Sequence, residues 1–397
     1  MKPICIGFRG RLLQTALVAL LLGGCGGGVG TGGTGTYAAG PITGFGSIIV
    51  NDVRFDESTA AVIDDDDGVR QRSELKLGMT VEIDGDRLRS EISGVAVTAT
   101  ATASRVRFGS EIVGPVQAVN AAAGVITVLG QAVRVAVETV FDERLAGGIA
   151  AVSVGQVIEV YALYDADRGA YNATRIEPRS GIVAQWRLRG PVAALDRAAG
   201  TLRIGNGTFG FGAAAGVPGD LAAGRFVRLR LATALDAAGR FSVSDFGVAL
   251  RPPQDRDEAR LRGLVTQFTS STSFNINGLP VDASAATFPN GTAGVRLGAR
   301  VEAKGLARSG VLVAAEVKVE TDDEVRDRGF EFKGNIDSVD AAAGTFVLRG
   351  QTVATSRADL RLEGGTLADI VVGRRVEVRA QIAPERTRLE ATRIKFE

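Results

Sequence analysis

Apolar and polar residues alternate in short runs along most of the chain, and one such run returns five times. It opens with glycine and two further residues, then places a charged residue between two apolar ones. The copies are Gly78-Met79-Thr80-Val81-Glu82-Ile83, Gly155-Gln156-Val157-Ile158-Glu159-Val160, Gly224-Arg225-Phe226-Val227-Arg228-Leu229, Gly298-Ala299-Arg300-Val301-Glu302-Ala303 and Gly373-Arg374-Arg375-Val376-Glu377-Val378. Side chains of a strand point alternately to its two faces, so this pattern predicts a strand with one wet face. The central residue is glutamate in four copies and Arg228 in the third.

A second signature, glycine, any residue, then Ile or Val, stands 34 to 41 residues upstream in each copy, at Gly40, Gly114, Gly190, Gly263 and Gly334. Between the two signatures the pattern predicts a hairpin. Val125-Ile126-Thr127-Val128 and Gln131-Ala132-Val133 flank Leu129-Gly130, and Thr345 to Leu348 and Gln351 to Val353 flank Arg349-Gly350. Asn277-Gly278 and Asn51-Asp52 take the turn in the fourth and first copies, and Asn-Gly favours a hairpin because both residues accept positive φ. A further strand closes each copy, as in Ala173-Thr174-Arg175-Ile176. No long amphipathic helix is evident.

A unit of this size with five or six short strands must hide its edges. The expectation is an all-β chain, a tandem array of five small OB-like barrels, with the signature glycine bending a strand at a barrel corner. The copies run over residues 40–103, 104–179, 180–254, 255–324 and 325–397. Polar stretches at 98–104, 178–181, 252–257 and 321–328 read as joints between separate beads. A continuous β solenoid is the alternative, but its repeats usually stay below about 50 residues.

The N-terminus reads differently. Lys2, Arg9 and Arg11 precede eleven residues, 12–22, that are mostly apolar, too few to span a bilayer, which takes roughly 20. Leu22-Gly23-Gly24-Cys25 follows and resembles the lipobox of bacterial lipoproteins, with residues 1–24 as the signal peptide and Cys25 as the lipid attachment site. Residues 25–39, rich in glycine, read as a flexible tether. Several acyl chains on one residue anchor stably, and a single chain does not. Gly26 is not the aspartate that retains lipoproteins in the inner membrane, so in a Gram-negative host the expected location is the outer membrane.

Removing Lys2, Arg9 and Arg11 with the leader takes the formal charge from +1 to −2. A near-neutral chain gives no electrostatic footprint for nucleic acid. Histidine is absent, and the two cysteines are Cys5, in the leader, and Cys25. That leaves no Ser-His-Asp or Cys-His catalysis and few routes to a zinc, copper or iron site. No cofactor is expected.

Within the first copy, Gly44-Phe45-Gly46-Ser47-Ile48-Ile49-Val50-Asn51-Asp52-Val53-Arg54-Phe55 and Leu77-Gly78-Met79-Thr80-Val81 resemble the bacterial family catalogued as domain of unknown function 5666. The resemblance spans residues 40–397 and is strongest in the first and last copies. The third departs most, with Gly210-Phe211-Gly212-Ala213-Ala214-Ala215 in place of the second hairpin strand. The resemblance implies a lipoprotein or secreted protein of tandem copies, and it brings neither an activity nor site residues.

Four features invite a site. Asp64-Asp65-Asp66-Asp67-Gly68 can be set as a calcium loop with Asp65, Asp67 and Glu74 as ligands, but Ile63 would then stand at the first ligand position and no flanking helices are expected. The run reads better as a solvated acidic loop. Gly205-Asn206-Gly207-Thr208-Phe209-Gly210 matches a dinucleotide fingerprint but falls on a hairpin turn, without the strand and helix that motif requires. Ser73-Glu74-Leu75-Lys76 matches a Ser-x-x-Lys pattern outside any suitable domain. Tyr161, Tyr164, Tyr171 and Trp186 form the densest aromatic cluster, either core and interdomain packing or an exposed face that stacks sugars or bases.

The expected role is therefore a lipid-anchored, non-catalytic envelope scaffold or interaction module, with the membrane and an envelope protein as partners. The alternative is a protein that binds a glycan or oligosaccharide on a barrel face. An enzyme would need paired carboxylates in a cleft between copies.

Overall fold

Each copy closes into a five-stranded barrel of the OB-like kind. The second is the simplest, with strands Ile112–Asn120, Val125–Val128, Gln131–Phe141, Val157–Asp165 and Ala170–Pro178. The first, second and third pair in antiparallel sequence, the third lies parallel to the fifth, and the fourth is antiparallel to both the fifth and the first. This ring leaves no free edge. The fourth and fifth copies repeat the order. So do the first and third, whose opening strand is broken, into Thr36–Pro41 and Gly44–Phe45, and into Trp186–Pro191 and Ala194–Asp196. The computed structural model describes residues 35–93, 96–212, 214, 216–383 and 388–397. The leader, Cys25 and the tether up to residue 34 lie outside them, and residues 36–39, counted with the tether, already belong to the strand Thr36–Pro41.

The signature glycines are explained by the hairpin turns. Asn51, Leu129, Asn277 and Arg349 each open a turn at positive φ, between 49° and 54°, which folds the side chain over the first strand of its own barrel. A methyl group on Gly40 would stand 2.6 Å from Asn51 Oδ1, and one on Gly114 would stand 2.6 Å from Leu129 Cγ. Gly263 and Gly334 leave the same room for Asn277 and Arg349. In the third copy the turn residue is Gly205, and the hydroxyl of Tyr171 from the second copy fills the space over Gly190. The glycine is thus a seat for the turn and not a corner of the strand.

The copies are not separate beads. Thr36–Pro41 pairs in parallel with Arg256–Ser270 of the fourth copy, and Gly44–Phe45 pairs with Phe330–Asp340 of the fifth. Ile112–Asn120 pairs with Trp186–Pro191 through Arg187 and Leu188. The core follows these joins. The first and fifth barrels share one apolar cluster, which also takes in Val140 and Tyr161 of the second. The second and third share another, and Tyr37 and Ala39 pack into the core of the fourth.

Two stretches that read as joints are regular structure. Residues 98–104 lie inside the strand Ala96–Phe108, where alternate small residues, Ala101 and Ala103, are buried. Thr and Ala alternate there, so the period of two is present without large apolar residues to announce it. Residues 321–328 form a short helix, Asp322–Arg328, capped by a reciprocal pair in which Glu324 N donates to Thr321 Oγ1 and Thr321 N donates to Glu324 Oε2.

Asn51 ties two copies together. Its Nδ2 donates to Ala39 O at 2.9 Å and to Arg260 O of the fourth copy at 3.0 Å. Asn51→Ala should cost about 1–2 kcal/mol through these lost bonds, read as a lower urea midpoint with an unchanged slope.

Candidate functional site: a charged junction between barrels

The loop after strand Ala61–Asp64 is built by Asp64. Its Oδ1 accepts from Asp66 N and Gly68 N, both at 2.9 Å, and its Oδ2 accepts from Arg70 Nε at 2.8 Å. Asp67 adopts φ 61°. The loop therefore presents its remaining acids to the third copy. Asp65 pairs with Arg189, and its backbone oxygen accepts from Arg228 Nη1 at 3.1 Å. Asp66 Oδ1 sits 2.7 Å from both Arg228 Nη1 and Arg230 Nη2. Asp67 bridges Arg107 at 2.8 Å and Arg251 at 3.0 Å. The run is thus part docking element and part solvated loop: Asp64 and Asp65 are buried, where unpaired charge would be costly, while Asp66 and Asp67 meet their arginines at the exposed rim.

The same contacts explain the odd residue of the repeat. Glutamate holds the central strand position in four copies, but the third faces the acidic loop and carries Arg228, only 2% exposed. The face expected to be wet is an interface in other copies too. Glu159 and Glu302 are each 4% exposed. Glu159 pairs with Arg179 at 2.8 Å and Arg187 at 3.5 Å. Glu302 pairs with Arg262 at 3.2 Å, and Arg262 also reaches Asp52 of the first copy at 2.7 Å and Glu320 at 3.3 Å. Arg175, held by Asp142 and Glu177 of its own copy, joins the second copy to the first by donating from Nη1 to Leu77 O at 3.1 Å.

At the junction lies a cavity of about 90 Å³, lined in part by Asp65, Glu82, Arg107, Glu111, Tyr164 and Arg189. Burial pushes Glu82 and Glu111 up to about 7, with Asp65 adding to the rise and Arg189 opposing it. Glu111 Oε2 accepts from Ala162 N at 2.9 Å. Burial would also raise Asp66, but hydrogen bonds and charge from Arg228 and Arg230 outweigh it and hold Asp66 at about 2.

Of the calcium-loop candidates, Asp65 and Asp67 come to this junction. Glu74 does not: it sits in the turn Arg72–Glu74, where its Oε1 accepts from Gln71 N at 2.8 Å. Ser73 and Lys76 belong to the same turn and its exit. The aromatic cluster divides. Tyr161 and Tyr171 are buried, the latter donating from its hydroxyl to Arg189 O at 2.7 Å. Trp186 packs half-buried on the core of the second and third copies. Tyr164 alone of the four lines the cavity. The glycine-rich run over residues 205–210 forms the third copy's hairpin and docks on the second copy's turn, with Asn206 N donating to Gly130 O at 3.1 Å. The partner arginines 107, 189, 230 and 251 had no signal in the sequence. Arg228 had one, as the single cation at a position otherwise held by glutamate.

Residues 39–100, 113–177, 262–318 and 333–395 match the family model described as Domain of unknown function (DUF5666), together more than half of the chain. The matched segments are the first, second, fourth and fifth barrels. The third, which carries Arg228, closes the same barrel outside them. No curated protein matches the chain.

Proposed function

The chain belongs to the DUF5666 family, and from that premise we propose that it is a lipid-anchored, non-catalytic envelope protein, a fixed body of five barrels that serves as a scaffold or interaction module. The observation that carries this reading is the engagement of charged side chains with one another across the joints. Asp65, Asp66 and Asp67 are matched by arginines of the first and third copies and of the residues that follow them, and Arg262 is matched by acids of the first and fourth. Groups spent in this way hold barrels in register. Among the described carboxylates, the strongly displaced Glu82, Glu111 and Asp66 belong to the same network. Such displacement marks catalytic sites but also structural ion-pair networks.

The anchor reading rests on Cys25 directly after Leu22-Gly23-Gly24 and on the glycine-rich residues that follow. Lipid on Cys25 would hold the body at a membrane, the outer one in a Gram-negative host. Cys25→Ser should abolish incorporation of labelled palmitate and move the protein from the membrane to a soluble or uncleaved form. Retained label would sink the anchor.

The fixed body has its own test. With Cys5 and Cys25 gone the chain has no thiol, so spin labels can be placed cleanly on cysteines at Ala238 and Ala342, exposed positions of the third and fifth copies. One narrow distance distribution is expected. A broad one would mean independent beads.

A further inference from the structure

Sharing Tyr164, Phe226 and Leu250 as walls with the junction cavity, a groove of about 790 Å³ lies beside it, within the range of roughly 300–1,000 Å³ usual for small-molecule sites. Three copies build it. The second gives Tyr164, the third gives Arg225 and Phe226, and the fourth gives Gln267 and Asn275.

The two rings form a fixed pair. Tyr164 and Phe226 meet edge to face at 5.9 Å and 89°, and Tyr164 is backed by Tyr171 at 5.0 Å. Tyr171 is fully buried and tied to Arg189 O, so the platform rests on the core. Lining the same groove, Asn275 Nδ2 donates to Gln267 Oε1 at 3.1 Å and to Gly278 O at 3.4 Å. These contacts orient two planar amides and leave the Asn275 Oδ1 acceptor and the Gln267 Nε2 donors to spare. Among the described residues Arg225 is the one cation on the wall, and it is already paired with Asp220. The described residues of the groove therefore offer aromatic surface, amide donors and acceptors, and no unmatched charge.

We infer that this groove binds a neutral oligosaccharide, with sugar C–H faces against Tyr164 and Phe226 and hydroxyl pairs on Asn275 and Gln267. Aromatic rings supply broad contact at little entropic cost, and amides read adjacent hydroxyls. A phosphate or an acidic sugar would need a free cation, and the one cation among the described lining residues, Arg225, is matched by Asp220. The inference rests on reading the chain as an interaction body and names what that body takes up.

The test uses the chain from residue 25 with Cys25→Ser, titrated calorimetrically with trisaccharides of glucose, mannose, galactose and N-acetylglucosamine, and with sialyllactose and ATP as charged probes. At least one neutral trisaccharide should bind. Tyr164→Ala should weaken it tenfold or more, and so should the double variant Gln267→Ala/Asn275→Ala, whose side chains are not core. No neutral binding, binding indifferent to both variants, or preference for sialyllactose or ATP would overturn the site. A narrow spin-label distance alongside absent sugar binding would remove the site and leave the scaffold reading standing. A broad distance would remove the scaffold reading itself.

Discussion

Arg262→Met is expected to cost about 3–5 kcal/mol, the loss typical when one partner of a buried charge cluster is removed. Arg262 is 3% exposed and stands between Asp52, Glu302 and Glu320. Without it, the ion pairs left among the described residues are Glu302 with Lys304, at 3.4 Å, and Glu320 with Arg328. The cluster is expensive even when intact: Nη1 of Arg262 and Oε2 of Glu320 have no hydrogen-bond partner. Removing the whole cluster should therefore hurt less than removing its centre. The triple variant Arg262→Met/Glu302→Gln/Glu320→Gln is expected to recover at least half of the loss. Equilibrium denaturation of the single and triple variants in urea at pH 7 checks both expectations. A single variant within 1 kcal/mol of the parent, on the same scale, would refute the account.

Stability is expected to fall between pH 5 and pH 8, against the usual behaviour of paired carboxylates. Glu82 and Glu111 titrate near 7 in the folded chain and near 4.3 when unfolded. Below the lower value both states are protonated and folding costs nothing at these groups. Between the two values the unfolded chain ionises first, so unfolding gains ground as pH rises. Above 7 the full penalty is in place, on the order of 3 kcal/mol for each group at 1.36 kcal/mol per unit. Asp65 faces these glutamates and reinforces the penalty, while Arg107, Arg189 and Arg251 reduce it. Asp66 works in the opposite sense. Held at about 2, it contributes stability above its ordinary value that is lost as pH falls towards 2. The midpoint should peak between pH 4 and 5 and decline on both sides. Glu111→Gln should flatten the upper limb and leave the acid limb unchanged. A midpoint that rises from pH 5 to pH 8 would contradict the assignment.

Much of each barrel was legible along the chain. The five runs around Glu82, Glu159, Arg228, Glu302 and Glu377 do form strands. Asn51-Asp52, Leu129-Gly130, Asn277-Gly278 and Arg349-Gly350 do turn hairpins at positive φ. Such signals are local: alternation and turn chemistry act between neighbours a few residues apart. Residues 98–104 were misread as a joint because Thr and Ala alternate there without bulk. Glu159 and Glu302 were misread as wet because a charged residue buried at a junction looks the same, in sequence, as one facing water.

The candidate site was legible only in fragments. The acidic run stood out at 64–68, and Arg228 stood out as the exception in its column, but they are more than 160 residues apart and nothing local links them. Tyr164 was found within an aromatic cluster whose other members serve the core, and its true neighbour, Phe226, lay in another copy.

By itself the sequence determined the strands, the turns, the closure of each copy and the lack of histidine and of thiols beyond Cys5 and Cys25. These follow from short-range periodicity and from composition, which no folding can alter. Only the tertiary structure decided which barrel meets which, which charges are buried as pairs and where a groove opens. Those outcomes depend on surfaces of distant copies meeting, and the energy of a buried charge is set by the partner that arrives beside it.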